Sequence, residues 1–245
     1  MSAASDRDGN GPDDEGRRPQ AVALFDLDGT LTDPYPGITR SVRHAMEKLG
    51  RPLPADADLS WVIGPPLTHA FRKLLDTTDE SLVAAAVAAY RERYGTVGLY
   101  ENAVYPGIEA ALDRLAEAGV ELVLATSKVR VYAERILAHF GLARRFRAIH
   151  GSELDGTRAE KPALIRYIVE TERLAAVSKV MIGDRHHDVD GAAANGIGTI
   201  GVGWGYGGVE ELTRAGARMV LERVDQLPGA IITTLAGEPA PQAAT

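Results

Sequence analysis

Five short apolar runs, separated by helical patterns, constrain the fold of this 245-residue chain more than any other feature. Most are nearly continuous in apolar character rather than alternating, which is typical of strands covered on both faces. They span residues 21–25, 120–125, 146–149, 178–182 and 198–202, and a sixth run at 218–221 indicates an edge strand. Helical patterns occupy residues 108–118, 131–140, 162–172 and 189–195. This alternation predicts an α/β fold with a doubly wound parallel sheet.

Residues 34–104 break this alternation, because they carry no strand signal and contain helical patterns. One apolar face is formed by Ile38, Val42, Ala45, Met46 and Leu49, and another by Val83, Val87, Tyr90 and Tyr94 after a predicted N-cap at Asp79. Such an insertion is too long for an ordinary loop, so we expect a helical subdomain at 34–104 between core segments at 20–33 and 105–236. Pro and Gly at both junctions suit a pair of hinges. The alternative is that these helices merely extend the core.

The two ends of the chain differ from the rest in composition. Residues 1–19 contain no Val, Ile, Leu or Phe and hold five acidic residues, so burial cannot offset the entropy of ordering them. Residues 237–245 have a similar character. We expect disordered tails at 1–19 and 237–245.

Composition also narrows the function. The chain has no Cys, which excludes disulfides, thiol catalysis and Cys-ligated metal sites. Its net charge of −7 argues against a nucleic-acid partner, because such proteins usually carry a basic face. No stretch approaches the roughly 18 apolar residues of a membrane span, and no secretory signal is present. We therefore expect a soluble cytoplasmic protein without a membrane or nucleic-acid partner; the sequence leaves its oligomeric state open.

Polar residues follow four of the predicted strands at their carboxyl ends, where ligands bind in open α/β sheets. They include Asp26, Asp28, Thr126, Ser127, Lys128, Lys161, Asp184 and Asp188. Carboxylates gathered in one cleft repel each other, so the cleft needs a cation. Oxygen ligands select a hard ion, which indicates Mg2+. Mg2+ and a lysine reverse the local charge, so the pattern predicts transfer of an anionic phosphoryl group to a carboxylate.

The carboxylates can take different roles. After the first strand, one aspartate would be an ionised, metal-bound nucleophile, and the other would donate a proton to the leaving oxygen and later accept one from water. Asp184 and Asp188 are four residues apart at a predicted helix start, so we expect both on one helix face, where they ligate the metal or fix Lys161. Thr126 directly follows its strand, where its hydroxyl can hold phosphate oxygens or cap the next helix.

Four motifs in this order resemble the haloacid dehalogenase superfamily, on its phosphatase side. They are Phe25-Asp26-Leu27-Asp28-Gly29-Thr30-Leu31, Leu124-Ala125-Thr126-Ser127, Lys161-Pro162, and Gly183-Asp184 followed by Asp188. The resemblance covers about residues 20–235. It implies a Rossmann-like core with an α-helical cap inserted after the first motif.

The resemblance also implies a role for each site residue. Asp26 would be the nucleophile that forms an aspartyl-phosphate, and Asp28 the general acid/base. Mg2+ would be held by the Asp26 carboxylate, the Asp28 backbone carbonyl and Asp184. Thr126, Ser127 and Lys161 would bind the phosphoryl group, and Asp188 would support Lys161 or the metal.

Three weaker motifs are similar to the phosphoglycolate phosphatase and 5′-nucleotidase branch. They are Ile63-Gly64-Pro65-Pro66-Leu67, Asp155-Gly156-Thr157-Arg158 and Gly203-Trp204-Gly205-Tyr206-Gly207. Gly64 and Pro65 would form a cap loop that reaches the substrate, or a plain helix breaker. The Gly-rich segment is either a flexible turn or part of the pocket. The implied substrate is a small phosphorylated metabolite, with phosphoglycolate and 5′-nucleotides equally favoured.

The sequence leaves the roles of some residues and some alternative reactions undecided. Arg185 stands where many relatives have Ser or Thr, and it adds positive charge near the metal. His186 and His187 are not expected to bind metal, because hard ions prefer oxygen. A phosphonate hydrolase would need a cap lysine, either Lys48 or Lys73. A phosphomutase on the same core, or a non-catalytic binding protein, would also fit the fold.

Overall fold

A six-stranded parallel sheet forms the centre of the protein, whose computed structural model describes residues 20–237. The strands of this sheet and of a separate ribbon are β1 (Ala21–Phe25), β2 (Thr32–Asp33), β3 (Ala103–Val104), β4 (Glu121–Val129), β5 (Ala148–Ser152), β6 (Ser178–Gly183), β7 (Gly198–Val202) and β8 (Met219–Leu221). The order in the sheet is β5-β4-β1-β6-β7-β8, and every neighbouring pair is parallel. The strand order changes direction around β1, which places a ligand crevice beyond its carboxyl end.

Helices connect these strands. Within the described residues they are α1 (Tyr35–Lys48), α2 (Leu67–Leu75), α3 (Glu80–Tyr94), α4 (Ile108–Glu117), α5 (Arg130–His139), α6 (Lys161–Thr171), α7 (His186–Ala193), α8 (Gly208–Ala215) and α9 (Leu227–Gly237). No helix between residues 20 and 237 combines the length and the apolar character needed to cross a membrane. The predicted tails at 1–19 and 237–245 lie outside the described residues except for Gly237. Gly237 is the last residue of α9, which corrects the predicted start of the second tail.

Alternate residues of β1 point to opposite faces of the sheet, so helices can cover both. Val22 and Leu24 belong to a buried cluster with side chains of α6. Ala23 and Phe25 belong to a larger buried cluster that includes side chains of α4, α5 and α9. Helices on both faces of a parallel sheet confirm the predicted fold class, a Rossmann-like doubly wound α/β fold with inserted helices.

The inserted helices α1 to α3 bury the faces that the sequence predicts. Val83, Val87, Tyr90 and Tyr94 of α3 are all buried. α1 buries the predicted positions except Leu49, which lies just beyond its end and is half-buried. Asp79 caps α3, because its Oδ1 accepts hydrogen bonds from the backbone N–H groups of Ser81 (2.9 Å) and Leu82 (3.4 Å).

A two-stranded ribbon corrects the expectation that no strand lies between β1 and β4. β2 pairs antiparallel with β3, with Thr32 opposite Val104 and Asp33 opposite Ala103. These residues lie at the two predicted junctions of the insertion. We propose that the ribbon joins the core to residues 34–104, which we call the cap. A pair of two-residue strands is too short to give a hydrophobic periodicity, so sequence reasoning missed it.

Two strands of the main sheet also differ from their predicted bounds. β4 runs four residues beyond Ala125, and β5 begins and ends later than expected. The register shifts between Ala125 and Val129, which pairs with Ser152. The hydroxyl of Ser152 donates to the backbone carbonyl of Ser127 at 2.8 Å. Polar contacts therefore extend the ladder past the apolar run that marks a strand in the sequence.

Glu101 ties both long cap helices to the ribbon. Its carboxylate accepts hydrogen bonds from Arg93 of α3 (2.7 and 2.9 Å) and from Arg40 of α1 (2.7 Å). Its backbone carbonyl accepts from the N–H of Gly37 at 3.0 Å. The hydrogen bonds from Arg93, with those from Arg40, lower the pKa of Glu101 to about 2.

We predict that Glu101→Gln lowers the free energy of unfolding by about 1 kcal/mol near neutral pH, as the loss of a bidentate ion pair should. A lowered folded-state pKa contributes stability above the ordinary glutamate pKa of about 4.5, and this is lost as the pH falls towards 2. The difference between wild type and variant should therefore shrink in urea titrations at pH 7, 5 and 3.5. Glu210→Gln, in an exposed pair with Arg214, is the control with little effect. A difference independent of pH would contradict the charge argument.

Candidate active site

Asp26 lies directly after β1 at the carboxyl edge of the sheet, with 5% of its surface exposed. The ammonium of Lys161, at the first turn of α6, lies 3.1 Å from its Oδ1. The same ammonium is 2.7 Å from Oδ1 of Asp188 and donates to the carbonyl of Ala125 at 2.9 Å. Burial alone lowers the pKa of Lys161, but the charges of Asp188 and Asp26 outweigh it and raise the pKa above its ordinary value. Lys161 is therefore a cation fixed between two carboxylates.

Asp184 completes a cluster of three buried carboxylates. Oxygen atoms of Asp26, Asp184 and Asp188 all lie within 4.8 Å of one another. Oδ2 of Asp184 accepts from the backbone N–H of Tyr206 at 2.8 Å, whereas the buried Oδ1 has no hydrogen-bond partner among the described residues. Burial raises the pKa of Asp184 well above its ordinary value, and the charges of Asp188 and Asp26 add to this rise. A positively charged partner would therefore stabilise the ionised form of Asp184.

The donor set of this cluster fits Mg2+. Three carboxylates and one ammonium leave an excess of two negative charges, which one divalent cation balances. The available atoms are all oxygens, which hard cations prefer. The orphaned Oδ1 of Asp184 gives such an ion a ready ligand. Burial raises the pKa of Asp188 to about 6, although the charge of Lys161 opposes the rise. Burial therefore disfavours the ionised form of this carboxyl group, as expected where negative charge is in excess.

The pairing of Asp184 with Asp188 differs from the expectation of a shared helix face. α7 begins at His186, so Asp184 precedes the helix and only Asp188 lies within it. Arg185 between them is extended (φ −125°, ψ 157°), and its backbone N–H donates to Oδ2 of Asp188 at 3.2 Å. The two carboxylates therefore approach each other across a capping turn rather than along a helix.

Asp28 pairs with a different lysine, Lys128. Its Oδ2 lies 2.7 Å from the ammonium of Lys128, and that ammonium also contacts the hydroxyl of Tyr94 on α3. Burial raises the pKa of Asp28, and the charge of Lys128 partly opposes the rise. The two aspartates after β1 thus sit in different surroundings, as their expected division of roles requires.

Thr126 and Ser127 lie inside β4 rather than at its end, which corrects their predicted position. Thr126 is buried, and its hydroxyl accepts from the backbone N–H of Lys128 at 3.3 Å. α5 begins only at Arg130, so Thr126 does not cap it. Both residues still line the same cavity as Asp26 and Asp28.

This cavity, of about 380 Å³, separates the cap from the core. Asp26, Asp28 and Thr126 line it from the core, whereas Asp184, Asp188 and Lys161 do not belong to the lining. Its walls include the apolar and aromatic side chains of Ile38, Val62, Leu67, Val87, Tyr90, Tyr94 and Tyr132. His69, Arg72, Arg91, Glu153 and Glu160 add polar groups. Gly64 and Pro65 also line it, as the cap-loop interpretation expects, whereas Lys48 and Lys73 do not belong to the lining.

Arg185 contacts the cap, and its positive charge also acts on Asp184, whose pKa it lowers against the effect of burial. One guanidinium nitrogen donates to the backbone carbonyl of Ile63, next to the cap loop, and another pairs with Glu211 of α8 at 2.9 Å. Glu211 also accepts from the backbone N–H and Nδ1 of His186, both at 2.8 Å. Glu211 therefore offsets the charge of Arg185, and His186 contacts Glu211 rather than the carboxylate cluster.

The segment from Gly203 to Gly208 belongs to the site rather than being a free turn. The backbone N–H of Tyr206 holds Asp184, and its hydroxyl contacts Asp33 of the ribbon. The ring of Tyr206 stacks on Tyr35 at the start of α1, with centroids 6.5 Å apart. Trp204 Nε1 donates to the carbonyl of Thr30 at 3.1 Å. This segment therefore connects the carboxylate cluster to one junction of the cap.

Gly29 lets the chain turn sharply beside Asp184. Its φ of +82° lies in the left-handed region that favours glycine. A Cβ at this position would lie 2.2 Å from Oδ2 of Asp184. The glycine of the first motif therefore provides space for the Asp184 carboxylate as well as the turn.

Sequence reasoning found the residues at the strand ends but missed the contacts from the cap. Asp26, Asp28, Asp184, Asp188, Thr126, Ser127 and Lys161 are all brought to one sheet edge. The pairing of Lys128 with Asp28 and Tyr94 was missed, although Lys128 stood among the strand-end residues. Tyr94 belongs to the apolar face predicted for α3, so nothing in the sequence indicated the contact of its hydroxyl group.

Comparison with known proteins agrees with this geometry. A family profile described as haloacid dehalogenase-like hydrolase matches residues 23–202. A 5′-nucleotidase from Pseudomonas aeruginosa is 51% identical over 189 residues, covering 77% of this chain and 85% of that protein. A predicted phosphatase from Clostridium acetobutylicum superposes with a TM-score of 0.84 at 41% identity, covering 88% of this chain and 99% of that one.

Two further relatives differ in their described activities. Tyrosine-protein kinase PtkA of Mycobacterium tuberculosis is 40% identical over 220 residues, which cover 88% of this chain and 74% of that protein. A phosphoglycolate phosphatase of Neisseria gonorrhoeae is 32% identical over 201 residues, covering 80% of this chain and 84% of that protein.

We predict that Gly29→Ala lowers the rate of phosphate release at least about tenfold, because its Cβ displaces Asp184. Gly119→Ala is the matched control, since Gly119 also has a positive φ (+75°) but nothing lies within 4 Å of its Cβ position. Both variants should lose about 1 kcal/mol or more of stability from backbone strain, and only Gly29→Ala should lose activity. Equal activity in both variants, measured beside their thermal melts, would contradict the proposed contact.

Proposed function

The chain belongs to the haloacid dehalogenase-like hydrolase family and is a phosphatase, and we propose that it hydrolyses nucleoside 5′-monophosphates with Mg2+ through an aspartyl-phosphate. One observation carries the proposal. Asp26 belongs to a cluster of three carboxylates and one ammonium and also lines a cavity with aromatic side chains. The cluster suits a metal and a phosphoryl group, and the aromatic side chains suit a planar organic group.

Asp26 and Asp28 share the first half of the proposed reaction. A carboxylate oxygen of Asp26 attacks phosphorus while the bond from phosphorus to the ester oxygen breaks. The electron pair of the broken bond stays on the ester oxygen, which takes a proton from the carboxyl group of Asp28 and leaves as an alcohol. Lys161, with Thr126 and Ser127, would hold the phosphoryl oxygens during transfer.

A water molecule takes part in the second half of the proposed reaction. Its oxygen attacks phosphorus of the aspartyl-phosphate, and Asp28, now a carboxylate, accepts the proton that the water loses. The bond between phosphorus and Asp26 breaks, inorganic phosphate leaves, and both aspartates return to their starting states. Asp188 would keep the ammonium of Lys161 in place throughout, because they are 2.7 Å apart.

The carboxylates of Asp26 and Asp184 and the backbone carbonyl of Asp28 would hold the Mg2+ ion. When bound, the ion offsets the negative charge of the phosphoryl group and so permits the attack by an anionic carboxylate. The chain's own contribution is to keep Asp26 aligned by Lys161 and Asp184 aligned by the N–H of Tyr206.

The cavity favours a nucleotide over phosphoglycolate. Its volume of about 380 Å³ falls within the range of about 300–1,000 Å³ that small-molecule sites usually have. A two-carbon acid offers no apolar surface to the rings of Tyr90, Tyr94 and Tyr132, whereas a nucleoside does. The 51% identity to the 5′-nucleotidase supports the same choice over the 32% identity to the phosphoglycolate phosphatase.

Phosphoryl transfer to tyrosine is a second candidate, because PtkA is 40% identical to this chain. The same Asp26 cluster could serve a transfer from ATP to a protein hydroxyl. Incubation with γ-labelled ATP separates the two functions, because a kinase would leave label on protein tyrosine. The proposed function acts on monophosphate esters, so it expects no label on tyrosine.

Three alternatives from the sequence can be tested in the same assays. Neither Lys48 nor Lys73 lines the cavity, which disfavours the imine chemistry of a phosphonate hydrolase. A phosphomutase would need a sugar bisphosphate for activity, and a binding protein would release no phosphate from any substrate. The cytoplasmic location stays a prediction.

We predict that wild-type protein with Mg2+ releases phosphate from nucleoside 5′-monophosphates at least about tenfold more efficiently, in kcat/KM, than from phosphoglycolate. Asp26→Asn should lose at least about 1,000-fold of this activity while still melting cooperatively as a folded protein, since the amide cannot form the phosphoenzyme. The panel also contains sugar phosphates and a phosphotyrosine peptide. Preference for phosphoglycolate would overturn the substrate assignment, and an active Asp26→Asn enzyme would overturn the mechanism.

We predict that Mg2+ stabilises the wild type and not Asp184→Asn. At about 100 times its Kd the ion adds about 2.7 kcal/mol, which raises Tm by about 5 °C or more in a chain of this size. Without Mg2+, Asp184→Asn should be at least as stable as wild type, because it removes one buried negative charge. Asp190→Asn, at an exposed position of α7, is the control that keeps the full shift. An equal shift in Asp184→Asn would place the ion elsewhere.

A further inference from the structure

Lys128 is a buried lysine with no assigned part in the reaction. Its side chain is 6% exposed, and its ammonium lies 2.7 Å from Oδ2 of Asp28. Lys161 is already held by Asp26, Asp188 and the carbonyl of Ala125. The two buried lysines are therefore divided between the two aspartates after β1, with Lys161 on Asp26 and Lys128 on Asp28.

The backbone around Lys128 is held on several sides. Its N–H donates to the hydroxyl of Thr126 at 3.3 Å. The carbonyl of the preceding Ser127 accepts from Ser152 at 2.8 Å. Gly151 passes so close that a Cβ there would lie 2.5 Å from the carbonyl oxygen of Lys128. The register of β4 against β5 shifts between Ala125 and Val129, the segment that contains Lys128. The shift interrupts the regular alternation of side chains along the strand, and the contacts above fix the position of Lys128 within it.

A tyrosine of the cap fixes the other end of the lysine. The ammonium of Lys128 contacts the hydroxyl of Tyr94 and lies 4.6 Å from the centre of its ring. Tyr94 is 2% exposed and packs against the rings of Tyr90 (5.0 Å) and Tyr132 (5.7 Å). A side chain of α3 in the cap therefore reaches Asp28 of the core through one lysine.

We propose that Lys128 is a positioning residue that directs the carboxyl group of Asp28 towards the leaving oxygen, and that Tyr94 secures Lys128 in that place from the cap. This inference rests on the proposed function, in which Asp28 donates the proton. When Asp28 gives its proton to the leaving oxygen it becomes a carboxylate, and the adjacent ammonium stabilises the new charge.

The arrangement couples proton donation to the cap. Tyr94 of α3 and Asp28 hold the ammonium of Lys128 between them, so the position of the proton donor depends on a contact from the cap.

Substrates whose leaving groups differ in basicity distinguish a role of Lys128 in proton donation from a purely structural role. An alkyl ester, such as a nucleoside 5′-monophosphate, needs a proton on its leaving oxygen, whereas p-nitrophenyl phosphate releases a stable anion and needs little help. Lys128→Met keeps a long unbranched side chain but removes the charge. Tyr94→Phe removes only the hydroxyl. Lys48→Met makes the same chemical change at an exposed position of α1 and is the matched control.

We expect Lys128→Met to lower kcat/KM, which reports on the steps up to formation of the phosphoenzyme, by about tenfold or more for the alkyl ester and by less than about threefold for p-nitrophenyl phosphate. Tyr94→Phe should show the same preference with a smaller loss, and Lys48→Met should leave both rates unchanged. Asp28→Asn is the reference, because removal of the proton donor itself must give the same selective loss. A loss in Lys128→Met that is equal for both substrates, or absent for both, would overturn the inference.

The same set of variants separates this inference from the proposed function. If Asp26→Asn retains activity, the proposed function itself is wrong. If Asp26→Asn is inactive and Asp28→Asn is selective while Lys128→Met is not, only the role of Lys128 is wrong. Circular dichroism melts accompany each variant. Should Lys128→Met fail to fold, Tyr94→Phe decides alone, and equal or absent loss on the two substrates refutes the coupling.

Discussion

Two uncompensated negative charges, buried at the carboxyl edge of a parallel sheet, are the constraint on which the rest of this structure depends. Asp26 and Asp188 contact one ammonium, that of Lys161, Asp184 lies beside them, and all four groups are at most 5% exposed. Such a cluster is costly in a folded protein unless a cation joins it. Charge and burial therefore support the proposed divalent ion, and so does the family membership.

Neighbouring features can be understood as supports for that cluster. Gly29 and Gly205 leave room for Asp184, since a Cβ on Gly205 would lie 2.4 Å from its Oδ2. The N–H of Tyr206 fixes one Asp184 oxygen, while its side chain contacts the ribbon at Asp33. Arg185, the next residue after Asp184, holds the cap loop through Ile63. The carboxylate edge and the cap are thus connected at several points, each through a residue adjacent to the cluster or touching it.

Much of this could be predicted from the sequence because it depends on local patterns. Continuous apolar runs specify parallel strands, and polar residues directly after them must meet at one edge, so Asp26, Asp184 and Lys161 could be placed together. Features that depend on tertiary contacts could not be predicted. The two-residue strands β2 and β3 are too short to have a period, and β4 continues past its apolar run through side-chain hydrogen bonds. The contact between Tyr94 and Lys128 joins residues far apart in the chain, and neither sequence segment contains a pattern that predicts it.

The most direct test of the account is crystallography with Mn2+ in place of Mg2+, because manganese is also a hard oxygen-seeking ion and its anomalous scattering locates it without ambiguity. The account predicts one anomalous peak at the sheet edge, in contact with the carboxylates of Asp26 and Asp184. A crystal with no ion at that edge, or with manganese bound by His186 and His187 instead, would contradict the claim that the buried charge excess defines the site.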